Sequence, residues 1–506
     1  MLTLDGGAGN DMLLGSHGAD RLLGGDGNDF VDGNQGNDVA LLGAGDDVFQ
    51  WDPGDGSDTV EGEAGTDTLL FNCANINEKI DISANGERAL FTRDIANIVM
   101  DLNGVEQIQL NALGGADTIT VNDLTGTDVK QVAIDLSAGS GQGDGAPDSV
   151  VVNGTAGVDH ISIASSGASV VVNGLAAKVT IKGAEGANDT LTVDGLAGND
   201  TINASALNPG QINLTINGGA GNDTITGSAG DDTVIGGTGN DTALLGAGND
   251  TFVWNPGDAS DTVEGQAGVD TLRFNGAIID EKIDISANGE RVRLTRDIGT
   301  VTMDANGTET IDVNPLDGMD TITVNDLTGT DVKQVAIDLG AQPGKAGGDG
   351  KADTIVINAT NGDDAITIVN NNGVITVSGL GEDVTISNFE AANDRIVING
   401  LRGDDVITAS GLTGILFTAN GGDGDDVLIG SLGNDILTGG NRDDVLIGGG
   451  GQDVLDGGPG NNVVIASATV ALLGQFAASA AGDGNGATPI TDQPSNQQPL
   501  LTQPHA

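Results

Sequence analysis

At 506 residues the chain has the length of about three ordinary domains, but with 84 Gly, no Tyr and 2% aromatic residues it excludes the thick cores such domains use. Eighteen Lys and Arg against 74 Asp and Glu leave a formal net charge of −56, a field that repels nucleic acid and excludes it as a partner. Since 38% of residues are hydrophobic, many in short β-branched runs, the chain can fold once cations neutralise it.

Met1-Leu2-Thr3-Leu4-Asp5-Gly6 begins the sequence without a positively charged, apolar leader. Nonapeptides follow at once. They start at Gly6, Gly15, Gly24, Gly33 and Leu42, again at Gly218, Gly227, Gly236 and Leu245, and finally at Gly421, Gly430, Gly439, Gly448 and Gly457. The sixth position is acidic throughout, as Asp11, Asp20, Asp29, Asp38 and Asp47; Asp223, Asp232, Asp241 and Asp250; then Asp426, Asp435, Asp444 and Asp453, until Asn462 breaks the series.

A longer period of 203 residues is superimposed: Lys79–Arg88 returns unchanged as Lys282–Arg291, and Asp117–Leu136 as Asp320–Leu339. Such identity marks a tandem duplication. The predicted organisation is a first roll at 1–71, a β-rich spacer at 72–217, a second roll at 218–275, a duplicate spacer at 276–420, a third roll at 421–465 and a low-complexity tail at 466–506. Short alternating runs such as Thr118–Val121 and Val150–Val152, punctuated by Asn-Gly and Asp-Gly turns, make the spacers β-rich. They fit either a continued solenoid or small sandwiches. The tail carries Pro489, Pro494, Pro499 and Pro504, with one short helix expected around Val470–Phe476. No transmembrane segment is predicted, because the uncharged stretch from Val463 to Gly482 is too rich in Ala and Ser.

The unit Gly24-Gly25-Asp26-Gly27-Asn28-Asp29-Phe30-Val31-Asp32 shows the motif Gly-Gly-x-Gly-x-Asp-x-U-x, where U is large and apolar. Three glycines in four positions permit a tight loop in which carbonyls approach a common point. The eighth side chain of each unit points inward, giving ladders of Leu13, Leu22, Val31, Ala40 and Phe49 at one end and Leu428, Leu437, Leu446, Leu455 and Val464 at the other. Two nonapeptides make one coil, so adjacent coils lie about 4.8 Å apart. Asp11 then sits over Asp29, and Asp20 over Asp38. Each stacked carboxylate pair repels by roughly 1 kcal/mol even at the dielectric of water. A hard cation reverses that sign, and carboxylate plus carbonyl oxygen without nitrogen or sulfur favours Ca2+. About eight interior sites follow if each needs two loops of one edge, with partial ones at Asp58, Asp67, Asp261 and Asp270.

These nonapeptides resemble the hemolysin-type calcium-binding repeat, or repeats-in-toxin (RTX), family. The resemblance implies an all-β parallel β-roll whose metal ligands are the sixth-position Asp and early loop carbonyls, matching Gly6, Gly24, Gly218, Gly236, Gly421 and Gly439. It also implies secretion from a Gram-negative bacterium by type I machinery, through an uncleaved C-terminal signal, with calcium-driven folding outside. Arg442 at a fourth position and Asn462 at a sixth depart from the pattern, which puts the sites at Asp444 and beyond in question.

No Gly-x-Ser-x-Gly elbow or His-Glu-x-x-His helix occurs, and His17, His160 and His505 are scattered, so the chain reads as a non-enzyme. Cys73, the single cysteine, allows neither an internal disulfide nor a thiolate zinc site and reads as an incidental loop residue. Trp51 and Trp254 read as caps on the open ends of rolls. The expected function is an extracellular calcium-loaded structural or surface protein with a cell-surface or matrix ligand. The alternative is a calcium-dependent carrier or secretion module from a larger toxin, adhesin or hydrolase.

Overall fold

A computed structural model describes residues 1–139 and 143–466. The helix and secretion signal expected in the tail lie outside the described residues. Each nonapeptide forms one strand and one loop, and successive strands alternate between two facing sheets. Thr3–Ala8, Arg21–Asp26 and Val39–Ala44 pair in parallel in one sheet, while Met12–Leu14, Phe30–Asp32 and Val48–Trp51 pair in the other. The register Thr3↔Arg21↔Val39 steps by one coil of two nonapeptides, as expected.

Among the described residues the first sheet contains 23 strands, and pairing crosses every roll–spacer junction. The spacers are therefore a continued solenoid, not separate sandwiches. They differ from the rolls in carrying antiparallel meanders. In the first, Lys79–Asn85, Arg88–Arg93 and Ile98–Asn103 occupy three consecutive rungs; Ile98–Asn103 pairs in parallel with Thr59–Ala64 behind it, and Lys79–Asn85 with Thr118–Val121 ahead. A meander puts three strands where a coil puts one, and the two extra rungs are matched in the other sheet by the meander from His160 to Lys182. The duplicate Lys282–Asn288 meander lies in the opposite sheet from Lys79–Asn85, because the 203-residue repeat contains an odd number of strands.

Period-two alternation places one side chain in two between the sheets. Leu22, Val31, Ala40, Phe49, Leu428, Leu437 and Leu446 are wholly buried. The inward ladder does not extend to its predicted end: Leu455 is half-buried and Val464 is 48% exposed, on the last described coils.

Trp51 and Trp254 are also placed otherwise than expected. Both are wholly buried inside the continuous stack, where Trp51 lies on Phe71 with ring centroids 4.1 Å apart and Trp254 on Phe274 at 4.2 Å. Each indole N–H donates to a loop carbonyl, of Gly56 or Ala259, at 2.8 Å. Over each ring lies a guanidinium, Arg93 or Arg296, paired with the buried carboxylate of Glu78 or Glu281. The indole face stabilises a cation taken out of water. Cys73, in the loop after Thr68–Asn72 as expected, is 2% exposed at the edge of this cluster, and burial raises its thiol pKa so that it stays protonated.

Candidate metal centre

The loops that join the two sheets require their glycines. Gly25 has φ +111°, and a Cβ there would overlap the Gly7 carbonyl of the preceding coil. At the first position the constraint is different. A Cβ on Gly6 would stand 2.6 Å from Gly24 O and 2.9 Å from Asp11 Oδ2, and one on Gly218 would be 2.5 Å from both Gly236 O and Asp223 Oδ2. The Gly439 carbonyl and Asp426 Oδ2 converge in the same way over Gly421. Thus all three glycine pairs singled out in the sequence bring a carbonyl and a carboxylate oxygen to one point.

The sixth-position aspartates form ladders along both edges. Asp11 N–H donates to Asp29 Oδ1 at 2.8 Å, Asp29 N–H to Asp47 Oδ1 at 2.7 Å, and Asp47 N–H to Asp67 Oδ1 at 2.9 Å. On the other edge Asp20 donates to Asp38 and Asp38 to Asp58. The middle roll repeats this as Asp223–Asp241–Asp261 and Asp232–Asp250–Asp270, and the last as Asp405–Asp426–Asp444 and Asp435–Asp453. Each Oδ1 thereby satisfies a buried amide from the neighbouring coil. The second oxygen is left over. Oδ2 of Asp11, Asp29, Asp38, Asp47, Asp223, Asp241, Asp250, Asp426, Asp444 and Asp453 is buried with no hydrogen-bond partner.

Asp20, Asp232 and Asp435 behave differently, although the sequence reading treats them as equivalent. Serine holds the second position of their loops: Ser16 N–H and Oγ–H both donate to Asp20 Oδ2, at 2.8 and 2.7 Å, while Ser431 N–H donates to Asp435 Oδ2 at 2.6 Å and its hydroxyl to Oδ1 at 2.8 Å. Ser228 does the same for Asp232. The signal Gly-Ser-x-Gly-x-Asp was readable. Asn462 solves the problem by another route, since its Nδ2 donates to the carbonyls of Gly457 and Gly458 at 2.8 and 2.9 Å while its Oδ1 accepts Asp444 N–H. Arg442 adopts φ +89°, a conformation that glycine fills elsewhere at this position.

Sequence reasoning missed that the ladders run on through the spacers. Asp159–Asp200–Asp223 and Asp364–Asp405–Asp426 lead into the second and third rolls, and Asp117–Asp148–Asp189 and Asp320–Asp353–Asp394 form separate stacks. Most stand immediately before an alternating apolar run, as in Asp117-Thr-Ile-Thr-Val and Asp353-Thr-Ile-Val-Ile, and that was the available signal.

Burial pushes several of the ladder carboxyls upward, while the Ser16 hydrogen bonds hold Asp20 below the usual range. Asp241 is raised to about 6, Asp250 to about 7 and Asp261 to about 8, each chiefly by desolvation, with the nearest ladder carboxylate adding to the effect. Asp58 and Asp67 reach about 7 for the same reasons. An edge built of unpartnered anionic oxygens and inward carbonyls has the donor set of a hard cation.

A family model for the RTX calcium-binding nonapeptide repeat matches residues 3–31, 14–49, 54–71, 192–206, 217–252, 418–441 and 429–464. The stretch at 192–206 lies in the first spacer and covers the Asp200 loop, beyond the three rolls read from the sequence. No curated protein matches the chain.

Proposed function

From the premise that the rolls are RTX calcium-binding repeats, we propose that calcium ions bridge successive loops of each edge through the unpartnered Oδ2 atoms and loop carbonyls. The ligands are Asp11, Asp29, Asp38, Asp47, Asp223, Asp241, Asp250, Asp426, Asp444 and Asp453, with the carbonyls of Gly6, Gly24, Gly218, Gly236, Gly421 and Gly439. Asp20, Asp232 and Asp435 act as ladder ends. The convergence of Asp Oδ2 with a carbonyl over the first-position glycine carries this reading, because it leaves a buried charge that only a proton or a cation can satisfy.

Calcium makes the solenoid rigid in this account. With a dissociation constant near 0.1 mM and external calcium near 1 mM, linkage contributes about 1.4 kcal/mol per site. The four bridges between these ligands, Asp11/Asp29, Asp29/Asp47, Asp223/Asp241 and Asp426/Asp444, would give on the order of 6 kcal/mol, comparable to the stability of an ordinary domain. At the low free calcium inside a cell that contribution vanishes and the ladders repel. The chain is accordingly a secreted protein, exported extended by type I machinery, that folds outside into an extracellular structural or surface rod; 1–71, 218–275 and 421–465 are its calcium rolls. Among the described residues no helix is long and apolar enough to cross a membrane. We assign the chain no catalytic role.

Far-ultraviolet circular dichroism and calorimetry of the whole chain test this. Millimolar calcium added to the EGTA-treated protein is expected to raise the β signal with measurable heat. An unchanged spectrum with no heat would overturn the reading.

A further inference from the structure

Cations are not spread evenly over this acidic solenoid. Among the described residues eight side-chain ion pairs occur, and seven of them lie between Glu61 and Asp101 or between Glu264 and Asp312, around the two antiparallel meanders that follow the first and second rolls. None of the eight involves a sixth-position aspartate of a roll. In the first meander Arg93 ends Arg88–Arg93, the rung beside Lys79–Asn85, and Glu78 immediately precedes the latter strand. Glu78 stands in the loop edge as an aspartate does in the rolls: its N–H donates to Asp117 Oδ1 at 2.8 Å, and its Oε1 accepts Ala74 N–H at 3.2 Å. The same Oε1 accepts from the guanidinium of Arg93, which lies 5.3 Å over the Trp51 ring, and the paired side chains are 4% and 0% exposed. Arg296, Glu281 and Trp254 repeat the arrangement, with Nε donating to Oε1 at 2.8 Å and the guanidinium 5.4 Å over the indole. Oε2 of Glu78 and of Glu281 is buried without a hydrogen bond, like Oδ2 in the rolls, but here the counter-charge is supplied by the chain itself.

A second arginine closes each meander from outside. Arg88 Nε donates to Asp101 Oδ1 at 2.6 Å, Nη1 to Glu61 Oε1 at 2.8 Å and Nη2 to the Asp101 carbonyl at 3.1 Å. It therefore ties Arg88–Arg93 to Ile98–Asn103 and to Thr59–Ala64, the strand of the coil behind. Arg291 does the same with Asp304 and Glu264. The meander strands are also neighbours in sequence, turned at Gly86 and Gly289 with φ +69° and +71°, so their pairing closes only short loops. None of these contacts requires a metal ion.

A buried carboxylate without a partner destabilises its coil until a proton or cation arrives, whereas one that already faces a guanidinium does not. We propose that the meanders, 79–103 and 282–306, are calcium-independent blocks neutralised by their own arginines, which stay folded when the rolls open and from which the rolls wind again when calcium returns. The inference rests on the calcium reading of the rolls, since it assigns the coils that do without the ion. Withdrawing calcium then leaves two rigid segments joined by opened rolls, because a stacked array loses structure unit by unit where its local stability is lowest. Export of an extended chain requires passage before these blocks close.

Hydrogen exchange of the whole chain tests this. In EGTA the amides of 80–102 and 283–305 are expected to exchange about 100-fold more slowly than those of 21–50 and 232–253, and millimolar calcium should slow the second group alone. Arg93→Met/Arg296→Met should abolish the difference in EGTA, because it leaves Glu78 and Glu281 buried and unpaired. Adding Glu78→Gln/Glu281→Gln to that variant should bring part of the protection back, a rescue that side chains serving only to fill space would not show. Meanders that exchange as fast as the rolls in EGTA, an arginine variant that keeps full protection, or a loss without rescue each overturn the inference and leave the rolls as calcium sites. If the wild-type rolls are as protected in EGTA as in calcium, it is the calcium reading of the rolls that falls.

Discussion

Replacing Asp241 by Asn should stabilise the coil without calcium and lose that advantage with it. In the calcium-free coil Asp241 is raised from 3.8 to about 6, mainly by burial. A raised carboxyl pKa destabilises the folded state as pH climbs from the unfolded value through the folded one, so the cost is complete at pH 8. Two pKa units amount to about 3 kcal/mol, which solvent screening at the loop edge reduces to about 1–2 kcal/mol. Asn removes that charge. Asn462 shows what the amide does in such a loop, where Oδ1 still accepts the neighbouring amide and Nδ2 donates to two loop carbonyls. In Asp241→Asn those acceptors would be Gly236 and Gly237. With EGTA at pH 8, the variant should therefore be about 1–2 kcal/mol more stable locally, read as slower hydrogen exchange across 232–245. At millimolar calcium the wild type gains about 1.4 kcal/mol from the occupied site and the variant does not, so the advantage should shrink by that amount to near zero. An advantage of the same size in both buffers would refute the idea that the unpartnered oxygen is reserved for a cation.

Three other outcomes are expected. The converse substitution, Asn462→Asp, should loosen the last described coil by about 1–3 kcal/mol in EGTA, because it exchanges two satisfied donors for an orphan oxygen, and should restore the coil in calcium; exchange at 454–465 reads both. Calcium uptake should release protons at pH 6, where carboxyls raised to about 7, such as Asp58, Asp67 and Asp250, are about nine-tenths protonated, and few at pH 8; the binding enthalpy should therefore depend on buffer ionisation heat only at the lower pH. Gly25→Ala should destabilise the first roll by more than about 2 kcal/mol in either buffer, from its positive φ together with the overlap on Gly7 O, and urea unfolding followed by Trp fluorescence measures it.

The rolls were legible because a fixed nine-residue period determines loop, strand and stack at once. Gly6 over Gly24 and Asp11 over Asp29 follow from that arithmetic alone. The spacers were not, since the step from Asp117 to Asp148 is 31 residues and the next is 41. A stack without a period leaves no repeat to read. Asn85-Gly86 and Asn288-Gly289 do announce hairpins, but which rung each strand takes depends on the strands already beneath it. The burial of Trp51, Trp254 and Cys73 was hidden for the same reason, because a roll end becomes an interior only when the spacer continues the coil. Within the rolls, the division between open and satisfied loops rests on a single residue, serine or glycine at the second position, whose effect is visible only once the carboxylate geometry is known.

The most direct measurement is anomalous diffraction from crystals of the whole chain grown in calcium. The account predicts calcium peaks bound by Oδ2 of Asp223 and Asp241 and by Gly236 O, at distances of about 2.3–2.6 Å. Well-ordered loops in which those oxygens still face no ion would contradict it.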